Sequence, residues 1–479
     1  MNTYKMLING KWVDAVSGEM FDDFNPYTQE LYARVAKGGE KDAKIAMAAA
    51  YEARKQWSLT SPQERARVLS TAAGLLGEKI QEFAEILTNE GGGTFGKAMF
   101  EIFQTIDLLQ TAAGDCKRIS GETFQTDSNK ISMTILSPKG TVVAISPWNF
   151  PLILSMYKVA YGLGTGNTVV LKPASETPVI GLKIGELFEK AGLMPGALNI
   201  VTGPGKVLGD ALIGSEYCSL VTLTGETVTG RHVAKKAAEN LKEYILELGG
   251  KNPLIILSGT DMDFAVNTAA FSTFLHQGQI CMSTGRIIIE ERMAREFAEK
   301  LAAKAATLPK GDPSRPETVV GPLINDKQVK QVDSLVQDAV NKGAGLLCGG
   351  RYEGRVYDPT VLMNVTPDMK IYYEETFGPV ASIITVKDEK EALKTANDTI
   401  YGLSAGVLTP DIHKALYLAQ GLEAGMVHVN DSSIDADACC PFGGFKGSGR
   451  GREGGRYSVE AYSDIKWVTI QKDVKAFPF

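Results

Sequence analysis

Short apolar runs rich in β-branched residues alternate with amphipathic stretches along most of the chain. One block has such runs at 141–146, 167–172, 198–202 and 219–224, each followed by glycine, proline or serine and then by a helical pattern. A second block begins near residue 253. Strand–helix alternation predicts parallel sheets with crossover helices. We therefore predict an α/β fold, in which ligands bind beyond the carboxyl ends of the strands.

The second block has apolar runs at 253–259, 286–291 and 381–386, with a long helix predicted from Arg292. Before the first block, residues 41–57 predict one helix, and residues 62–90 predict one or two more, starting at Pro62.

Two further segments alternate like strands outside these blocks. Residues 131–136 predict an exposed strand, and residues 462–471 predict a terminal strand. A lone strand needs a pairing partner, so we expect a neighbouring subunit to supply one.

Composition narrows the class of protein. The 479 residues suggest more than one domain, and the 50 glycines cluster in short turns, as near a ligand. A net charge of −6 without a basic block argues against nucleic-acid binding. No apolar run reaches the ~18 residues of a membrane span, and the N-terminus lacks the ~7–15 apolar residues of a signal core. We expect a cytoplasmic protein.

Metal-binding and disulfide patterns are absent from the sequence. The six cysteines form no CxxC pair, and the four histidines form no HExxH motif. Metal binding and a disulfide scaffold are therefore not expected.

Cys281 is the candidate nucleophile. It lies between two glycine-containing turns in HQGQICMSTGR, where the pattern predicts that an amphipathic helix begins or turns. A catalytic cysteine needs a favoured and exposed thiolate. The alternative is a small buried apolar residue.

Two polar residues at strand ends are candidate partners of Cys281. Asn149 lies between Pro147 and Pro151, which stiffen the backbone, so its amide suits an oxyanion hole. Glu247 ends a strand-like run just before two glycines and suits a general base. A structural turn residue and a surface glutamate are the respective alternatives.

Three segments, 170–178, 223–231 and 374–380, have the pattern of cofactor sites. The second leads from a strand through Gly225 into a helix, whose free N–H groups can bind phosphate. No GxGxxG occurs, because the glycine clusters at 162–166 and 203–209 have the wrong spacing.

Taken in order, these motifs resemble the aldehyde dehydrogenase superfamily over essentially the whole chain. The matching segments are FNPYT (24–28), PWNFP (147–151), LKPAS (171–175), LTGETVTG (223–230), LELGGK (246–251), GQIC (278–281), GPLI (321–324), EETFGPV (374–380), NDTIYGL (397–403) and PFGGFKGSGRGREG (441–454).

The resemblance implies a reaction at Cys281. Its thiolate would attack an aldehyde to form a thiohemiacetal, whose oxyanion would be bound by the Asn149 amide and the Cys281 N–H. Hydride transfer to the cofactor would leave a thioacyl enzyme, and Glu247 would activate the water that releases the acid. Lys158 matches a lysine behind the asparagine.

The implied cofactor is NADP or NAD. Lys172 matches the lysine that binds the adenosine ribose, Glu375 the carboxylate that binds the nicotinamide ribose, and Phe377 the aromatic residue near it. The other candidate cofactor residues are Ser146, Trp148, Ser175, Gly205, Gly209, Thr224, Gly225, Glu226 and Leu248.

Two residues depart from the commonest family pattern. Ser175 stands where many NAD-using members have a glutamate that would repel a 2′-phosphate, and the nearest glutamate here is Glu176. We therefore predict that NADP is accepted and preferred. Glu226 stands where many members have a serine near the pyrophosphate, and a carboxylate there is unfavourable unless it points away.

The predicted substrate residues are apolar. They are Phe150, Leu154, Tyr157, Ile280 and Phe442. No arginine lies beside Cys281 or within 153–157, so we expect an uncharged aldehyde. GQICMST resembles the aromatic-aldehyde branch, whereas the small, polar loop 431–440 suits a short hydroxyaldehyde. A semialdehyde is the alternative, with Arg450 as its cation if that loop folds inward.

The resemblance also implies the domain plan. Residues 1–115 and 137–249 would form a Rossmann-like cofactor domain, 250–448 a catalytic domain, and 116–136 with 460–479 a small β element joining subunits of a homodimer or homotetramer.

Three other functions remain as alternatives. A CoA-acylating dehydrogenase would not need Glu247, and a cysteine hydrolase would need a histidine partner such as His276. An inactive structural homologue is the third.

Overall fold

The computed structural model of the protein describes residues 2–126 and 128–479. Residues 1 and 127, which fall within two of the predicted domain segments, lie outside the described residues. The strands, numbered in chain order, are β1 (Asn2–Tyr4), β2 (Met6–Ile8), β3 (Lys11–Val13), β4 (Met20–Phe24), β5 (Leu31–Ala36), β6 (Thr123–Phe124), β7 (Lys130–Pro138), β8 (Thr141–Ile145), β9 (Thr168–Lys172), β10 (Leu198–Ile200), β11 (Cys218–Thr224), β12 (Glu243–Glu247), β13 (Asn252–Ile256), β14 (Thr284–Glu290), β15 (Gly345–Cys348), β16 (Tyr352–Glu353), β17 (Val356–Tyr357), β18 (Thr360–Met363), β19 (Val380–Val386), β20 (Ser404–Leu408), β21 (Met426–Val429), β22 (Gly449–Arg450) and β23 (Ser463–Gln471).

The α-helices are numbered in the same way. They are α1 (Glu40–Ser58), α2 (Pro62–Glu78), α3 (Ile80–Gly91), α4 (Phe95–Asp115), α5 (Pro151–Gly164), α6 (Pro178–Lys190), α7 (Asp210–Gly214), α8 (Thr227–Ala238), α9 (Met262–Phe274), α10 (Glu291–Thr307), α11 (Asp326–Asn341), α12 (Lys370–Tyr373), α13 (Glu389–Asn397), α14 (Ile412–Gly421) and α15 (Gly455–Ala461).

The first large sheet has the strand order β22-β12-β11-β8-β9-β10-β2-β3. Its five central strands, β12 to β10 in that order, run parallel. Val142 and Ala144 of β8 pack into one apolar cluster and Val143 into another. Because successive side chains of a strand point to opposite faces, helices cover both faces, as parallel sheets require.

The second large sheet has the order β15-β18-β19-β14-β13-β20-β21, and only its edge strand β15 pairs antiparallel among the described residues. Its central strand β13 also packs apolar side chains on both faces. The chain passes from the first sheet to the second through four residues, Leu248 to Lys251. The predicted α/β fold with parallel sheets is confirmed.

The terminal strand pairs within its own chain. All nine residues of β23 pair antiparallel with β7, from Ser463 opposite Pro138 to Gln471 opposite Lys130. The expectation that this strand has no partner in its own chain is therefore wrong, whereas its pairing with a neighbouring subunit stays a prediction. β23 pairs in this way because the helix α15 turns the chain back onto the hairpin formed by β6 and β7. In the resulting order β23-β7-β6, β23 keeps its other edge open among the described residues.

The other predicted elements lie close to their predicted bounds. Residues 62–90 form two helices, α2 and α3, that break at Lys79. The Ser61 side chain accepts a hydrogen bond from the Glu64 N–H, and Pro62 occupies the first turn of α2, as expected for a helix start. Of the helices in the described part of the chain, none combines the length and the apolar character that a membrane span requires.

Two buried glutamates cap the helices that follow strands β8 and β9. Glu101 accepts hydrogen bonds from the N–H groups of Leu152 and Ile153, at 2.8 and 3.1 Å, at the start of α5. Glu90 accepts from Val179 and Ile180 at the start of α6. A carboxylate at a helix N-terminus satisfies free N–H groups and the helix dipole. These caps therefore fix the loops 146–150 and 173–177, which contain predicted site residues.

Asp23 of β4 and Glu90 are buried carboxyl groups, and the charge of Asp23 adds to burial in raising the pKa of Glu90, so we infer that the pair shares a proton. Burial raises the pKa of Asp23 to about 8. In the unfolded chain this group ionises near pH ~4. Between these values the folded state binds more protons than the unfolded state, so the pair's contribution to stability falls as pH rises.

We therefore expect Asp23→Asn, whose amide can donate to Glu90 without a proton, to reduce the fall in melting temperature between about pH 5 and about pH 8. Thermal unfolding followed by tryptophan fluorescence across this range tests it, with the exposed Asp22→Asn as the control. An unchanged slope in Asp23→Asn would contradict the shared proton.

Candidate active site

A cavity of about 400 Å³ opens beyond the carboxyl ends of β8, β11 and β12, between the two large sheets. This is where ligands bind in parallel α/β sheets. The predicted site residues on its wall are Trp148, Asn149, Thr224, Gly225, Glu226, Leu248, Cys281, Glu375 and Phe377.

Cys281 lies in a loop between α9 and β14; of the two predicted possibilities, that a helix begins or turns here, no helix begins at Cys281 among the described residues, and a turn follows the end of α9. The loop begins with a short 3-10 turn, in which His276 and Gln277 adopt left-handed backbone angles, φ 50° and 56°. Left-handed angles are uncommon for non-glycine residues and mark a tightly constrained turn.

The thiol of Cys281 is partly exposed to the cavity. Its surroundings raise its pKa to about 12, through burial first and then through the charges of Glu375 and Glu247. The backbone N–H groups of Met282 and Cys281 lower the pKa of the same thiol. Burial, followed by the charges of the two carboxylates, therefore disfavours the thiolate.

Asn149 follows β8 in the loop that ends at Pro151. Its amide Nδ2 donates a hydrogen bond of 3.0 Å to the carbonyl oxygen of Gln279, two residues before Cys281. An amide nitrogen has two hydrogens, so one fixes the side chain and the second can donate to a bound oxyanion. The cavity wall includes both Asn149 and Cys281.

The segment that joins the two sheets also joins parts of the site. The Gly250 N–H donates to Glu375 Oε1 at 2.9 Å, and a Cβ on Gly249 would lie 2.3 Å from Glu375 Oε2. The Asn252 amide donates to the carbonyl oxygens of Cys281 and Ser283, at 2.7 and 2.9 Å. The carboxylate and the nucleophile are therefore both held by one short segment.

Glu247 ends β12 and is buried. Neither carboxylate oxygen has a hydrogen-bond partner among the described residues. Burial, followed by the charge of Glu453, raises the pKa of Glu247 well above its usual value. A Cβ on Gly443 would lie 2.7 Å from Glu247 Oε1, so that glycine leaves room for the carboxylate.

Lys158 of α5 is fully buried and belongs to a polar network. Its Nζ donates to Glu453 Oε1 at 2.9 Å and to Thr224 Oγ1 at 2.8 Å. Thr222 also donates to Glu453 Oε1, at 3.1 Å. Lys158 thus positions the carboxylate whose charge raises the pKa of Glu247.

Lys172 lies at the end of β9. Its buried ammonium group donates to the Pro173 carbonyl at 3.0 Å, and burial lowers its pKa to about 8. A Cβ on Gly205 would lie 3.9 Å from Lys172 Nζ, so the two predicted residues are close. The Ser175 hydroxyl donates to the Gly203 carbonyl at 3.2 Å. Lys172 therefore has donor capacity left for a ligand.

Other predicted cofactor residues differ in their exposure. Glu226 is exposed at the N-cap of α8, and its charge raises the pKa of Glu375. Ser146 is buried and accepts from the Ser155 hydroxyl at 2.8 Å, so it ties β8 to α5. Gly209 ends a π-helical turn, Gly205–Gly209. The rings of Trp148 and Phe377 pack edge to face, with their centroids 5.4 Å apart.

The predicted substrate residues share one buried apolar cluster, against which Cys281 packs. Its predicted members are Phe150, Leu154, Tyr157, Ile280 and Phe442, and Met282 joins them. Arg450 is exposed in β22 and lines a separate cleft with Arg231 and Arg452. The arginine considered for a charged substrate is thus outside this cluster.

Sequence reasoning missed several residues that support the site. Lys251 and Asn252 follow the quoted glycines directly, so a closer reading of that segment had a signal for them. Glu453 lies within the quoted segment 441–454, but its pairing with Lys158, 295 positions away, had no local signal. Gln328, which donates to the carbonyls of Thr376 and Phe377, lies on a helix with no distinguishing motif.

Comparisons with known proteins agree over the full length of the chain. A model of the aldehyde dehydrogenase family matches residues 12–468. The benzaldehyde dehydrogenase YfmT of Bacillus subtilis is 38% identical over 477 residues, 99% of this chain and 98% of that protein. A salicylaldehyde dehydrogenase from Pseudomonas putida G7, solved with salicylaldehyde, has 37% identity and a TM-score of 0.98 over 100% of both chains. An NAD-dependent aldehyde dehydrogenase from Sinorhizobium meliloti has 35% identity and a TM-score of 0.98, over 100% of this chain and 96% of that one.

We expect Glu375→Gln to accelerate alkylation of Cys281 by iodoacetamide at pH 8 several-fold, because removing the charge lowers the pKa of the thiol. Peptide mass spectrometry should follow Cys281 alone, since Cys439 and Cys440 are also exposed. Glu374→Gln, at an exposed neighbouring carboxylate, is the matched control. Equal rates in the parent protein and Glu375→Gln would contradict the electrostatic account.

Proposed function

The chain belongs to the aldehyde dehydrogenase family, and from this premise we propose that Cys281 carries the oxidation of an aldehyde to a carboxylic acid. The observation that carries the proposal is the meeting of Cys281, Asn149 and Glu375 on one cavity wall, with Glu247 near enough for its charge to raise the pKa of the thiol. A nucleophile, an oxyanion donor and a base are the groups that acyl transfer through a thioester requires.

In the first step, the sulfur of Cys281 bonds to the aldehyde carbon as the thiol loses its proton to solvent water. The carbonyl oxygen gains negative charge and accepts a hydrogen bond from the free N–H of the Asn149 amide. Since Gln279 fixes this amide, the donor is oriented before charge develops. Such preorganised donors are worth about 10²–10³ in rate.

The residues around the cavity fit a nicotinamide cofactor. The Lys172 ammonium is buried beside Gly205 with one carbonyl partner in the described structure, and the glycine backbone at 249–250 leaves room for the Glu375 carboxylate. In the proposal Lys172 binds the adenosine ribose, and Glu375 binds the nicotinamide ribose. When bound, NAD or NADP accepts the hydride from the thiohemiacetal carbon.

Glu247 then takes a proton from water, which attacks the thioacyl carbon and releases the acid and the Cys281 thiolate. A base must be able to hold a proton at neutral pH. Burial and the charge of Glu453 raise the pKa of Glu247, so its carboxylate more readily holds a proton. Its two carboxylate oxygens have no hydrogen-bond partner among the described residues. Lys158 contributes by holding Glu453 in place.

The cofactor is NAD or NADP, and we propose that NADP is preferred. Ser175 carries no charge, and Glu176 is exposed, with its charge acting on Lys172 and Asp23. A carboxylate at ~4 Å from a 2′-phosphate would cost about 1–4 kcal/mol at effective dielectric constants of about 80 to 20. Its replacement by serine removes this repulsion.

The proposed substrate is an uncharged aldehyde, with an aromatic aldehyde first and a short hydroxyaldehyde second. The burial of the predicted substrate residues in the apolar core against which Cys281 packs, and the absence of Arg450 from the cavity that Cys281 lines, support an uncharged molecule. The similar benzaldehyde and salicylaldehyde dehydrogenases support the aromatic choice. A semialdehyde remains the alternative within the family.

Two other mechanisms are less well supported. In a CoA-acylating mechanism Glu247 would have no role, although its buried carboxylate has no hydrogen-bond partner among the described residues. A cysteine hydrolase needs a histidine base, but burial lowers the pKa of His276 well below its usual value. The His276 ring packs edge to face on Phe150, with ring centroids 5.4 Å apart, and neither ring nitrogen has a hydrogen-bond partner in the described residues.

We also propose a cytoplasmic homodimer or homotetramer that associates through the sheet β23-β7-β6. Ile465 and Trp467 of β23 are 74% and 69% exposed on this small sheet. Large apolar side chains grouped on a surface are typical of a protein interface.

We expect Glu247→Gln to lower steady-state oxidation of benzaldehyde with NADP by about 10²–10⁴-fold, while one equivalent of NADPH still forms per active site. The Cys281 peptide should then carry a benzoyl group, because water is no longer activated. Absorbance of NADPH and peptide mass spectrometry measure the two results.

Cys281→Ser, which should give no burst, is the control for this experiment. Acceleration of the parent enzyme by coenzyme A with formation of benzoyl-CoA would favour the acylating alternative. A normal steady-state rate in Glu247→Gln would refute the assigned base.

Ser175→Glu should lower kcat/KM for NADP by about tenfold or more, because the new carboxylate repels the 2′-phosphate. The value for NAD should change much less. Ser175→Gln, which has the same size without charge, is the matched control. A parent enzyme that strongly prefers NAD would overturn the proposed cofactor choice.

A further inference from the structure

Lys251 is a buried cation that the proposed reaction does not use. It lies in the segment between the two large sheets and is 1% exposed. Its Nζ donates a hydrogen bond of 3.1 Å to Thr376 Oγ1, next to Glu375 in the chain. A Cβ on Gly285 of β14 would lie 2.9 Å from Lys251 Cδ, so this glycine makes room for the lysine side chain.

Glu375 is held against the same segment. Its Oε1 accepts from the Gly250 N–H at 2.9 Å, and its Oε2 lies over Gly249, where a Cβ would come within 2.3 Å. The Glu375 carboxylate is thus held against Gly249 and Gly250, the two residues that precede Lys251. Lys251 itself donates to Thr376, the residue that follows Glu375.

We propose that Lys251 is a positioning residue whose buried charge keeps Glu375 in the carboxylate form that accepts hydrogen bonds from the nicotinamide ribose. This inference rests on the proposed function, in which Glu375 binds that ribose. Lys251 acts through Glu375 and does not touch the cofactor.

The charges around Glu375 favour this role. Burial raises the pKa of Glu375 to about 7; the Gly250 N–H and Lys251 lower it, and Glu226 of the α8 N-cap raises it. Lys251 is the one cation among these influences. Cys281 and Tyr401 also face Glu375, and its charge raises the pKa of both groups, so neither supplies positive charge.

The charges around Lys251 make the pair sensitive to pH. Burial and then Arg286 lower the pKa of Lys251 to about 7, while Glu375 and Glu374 raise it. Arg286 cannot replace Lys251, since its guanidinium donates to four backbone carbonyls, those of Lys251, Thr395, Ala396 and Asp398. Each member of the pair therefore favours the charged form of the other.

The charge of Glu375 should make cofactor binding depend on pH. As pH falls through the pKa of Glu375, the carboxylate gains a proton and the ribose hydroxyls lose an acceptor. Cofactor binding should weaken below about pH 7. Without the charge of Lys251, the pKa of Glu375 rises by about one unit or more, so this loss of affinity should move to higher pH.

The experiment measures the Kd of NADP by calorimetry from about pH 6 to about pH 9, with the full-length protein and no aldehyde. In Lys251→Met the midpoint of the pH profile should rise by about one unit, so that Kd near pH 7 is about tenfold higher, and the curves should converge near pH 9. Thr376→Val, which removes the hydrogen-bond partner but keeps the charge, should leave the midpoint unchanged. Lys251→Gln is the second neutral variant if Lys251→Met does not fold.

Different results would refute the role of Lys251 and the contact between Glu375 and the cofactor ribose. A parent profile that is flat between about pH 6 and 8.5, or an equal loss of affinity at every pH in both neutral variants, would refute the role of Lys251. In a Glu375→Gln background, Lys251→Met should have no further pH-dependent effect. If Glu375→Gln itself binds NADP as tightly as the parent, the ribose contact fails, and with it the cofactor part of the proposed function.

Discussion

The short passage between the two large sheets is the constraint on which the site depends. Four residues, Leu248 to Lys251, connect β12 to β13. The carboxyl end of β12 in the first sheet and the amino end of β13 in the second sheet are therefore separated by only these four residues. Glu247 precedes this passage, Glu375 binds to its glycine backbone, and Asn252 after it holds the nucleophile loop. Larger side chains at Gly249 would collide with the Glu375 carboxylate.

Burial gives the groups around this passage their chemical character. It raises the pKa of Glu247, Glu375 and Cys281 and lowers that of Lys172 and Lys251. A buried charge without a close partner is costly, so proteins keep such groups where chemistry needs them. The same low-dielectric interior couples several of them, since Glu375 and Glu247 raise the pKa of the thiol and Lys251 lowers the pKa of Glu375.

The loops that contribute to the cavity are fixed by polar groups from distant helices. Glu101 and Glu90 cap the helices after β8 and β9, and Gln277 donates to the carbonyls of Gly92 and Pro322. These bonds satisfy backbone groups that irregular loops would otherwise leave unpaired. They explain how loops without regular structure can hold Asn149 and Cys281 in a defined relation.

The sequence by itself determined the α/β class, the strands at 141–145 and 168–172, and the residue types needed at Cys281, Asn149 and Glu247. These follow from local periodicity and from motifs a few residues long. Only the tertiary structure decided that β23 pairs with β7, that Lys158 binds Glu453, and that Lys251 binds Thr376, next to Glu375. Each of these joins residues more than 100 positions apart, and no local pattern encodes a distance that arises only when two sheets pack. The left-handed backbone angles of His276 and Gln277, in the turn before Cys281, likewise had no signal in the sequence pattern.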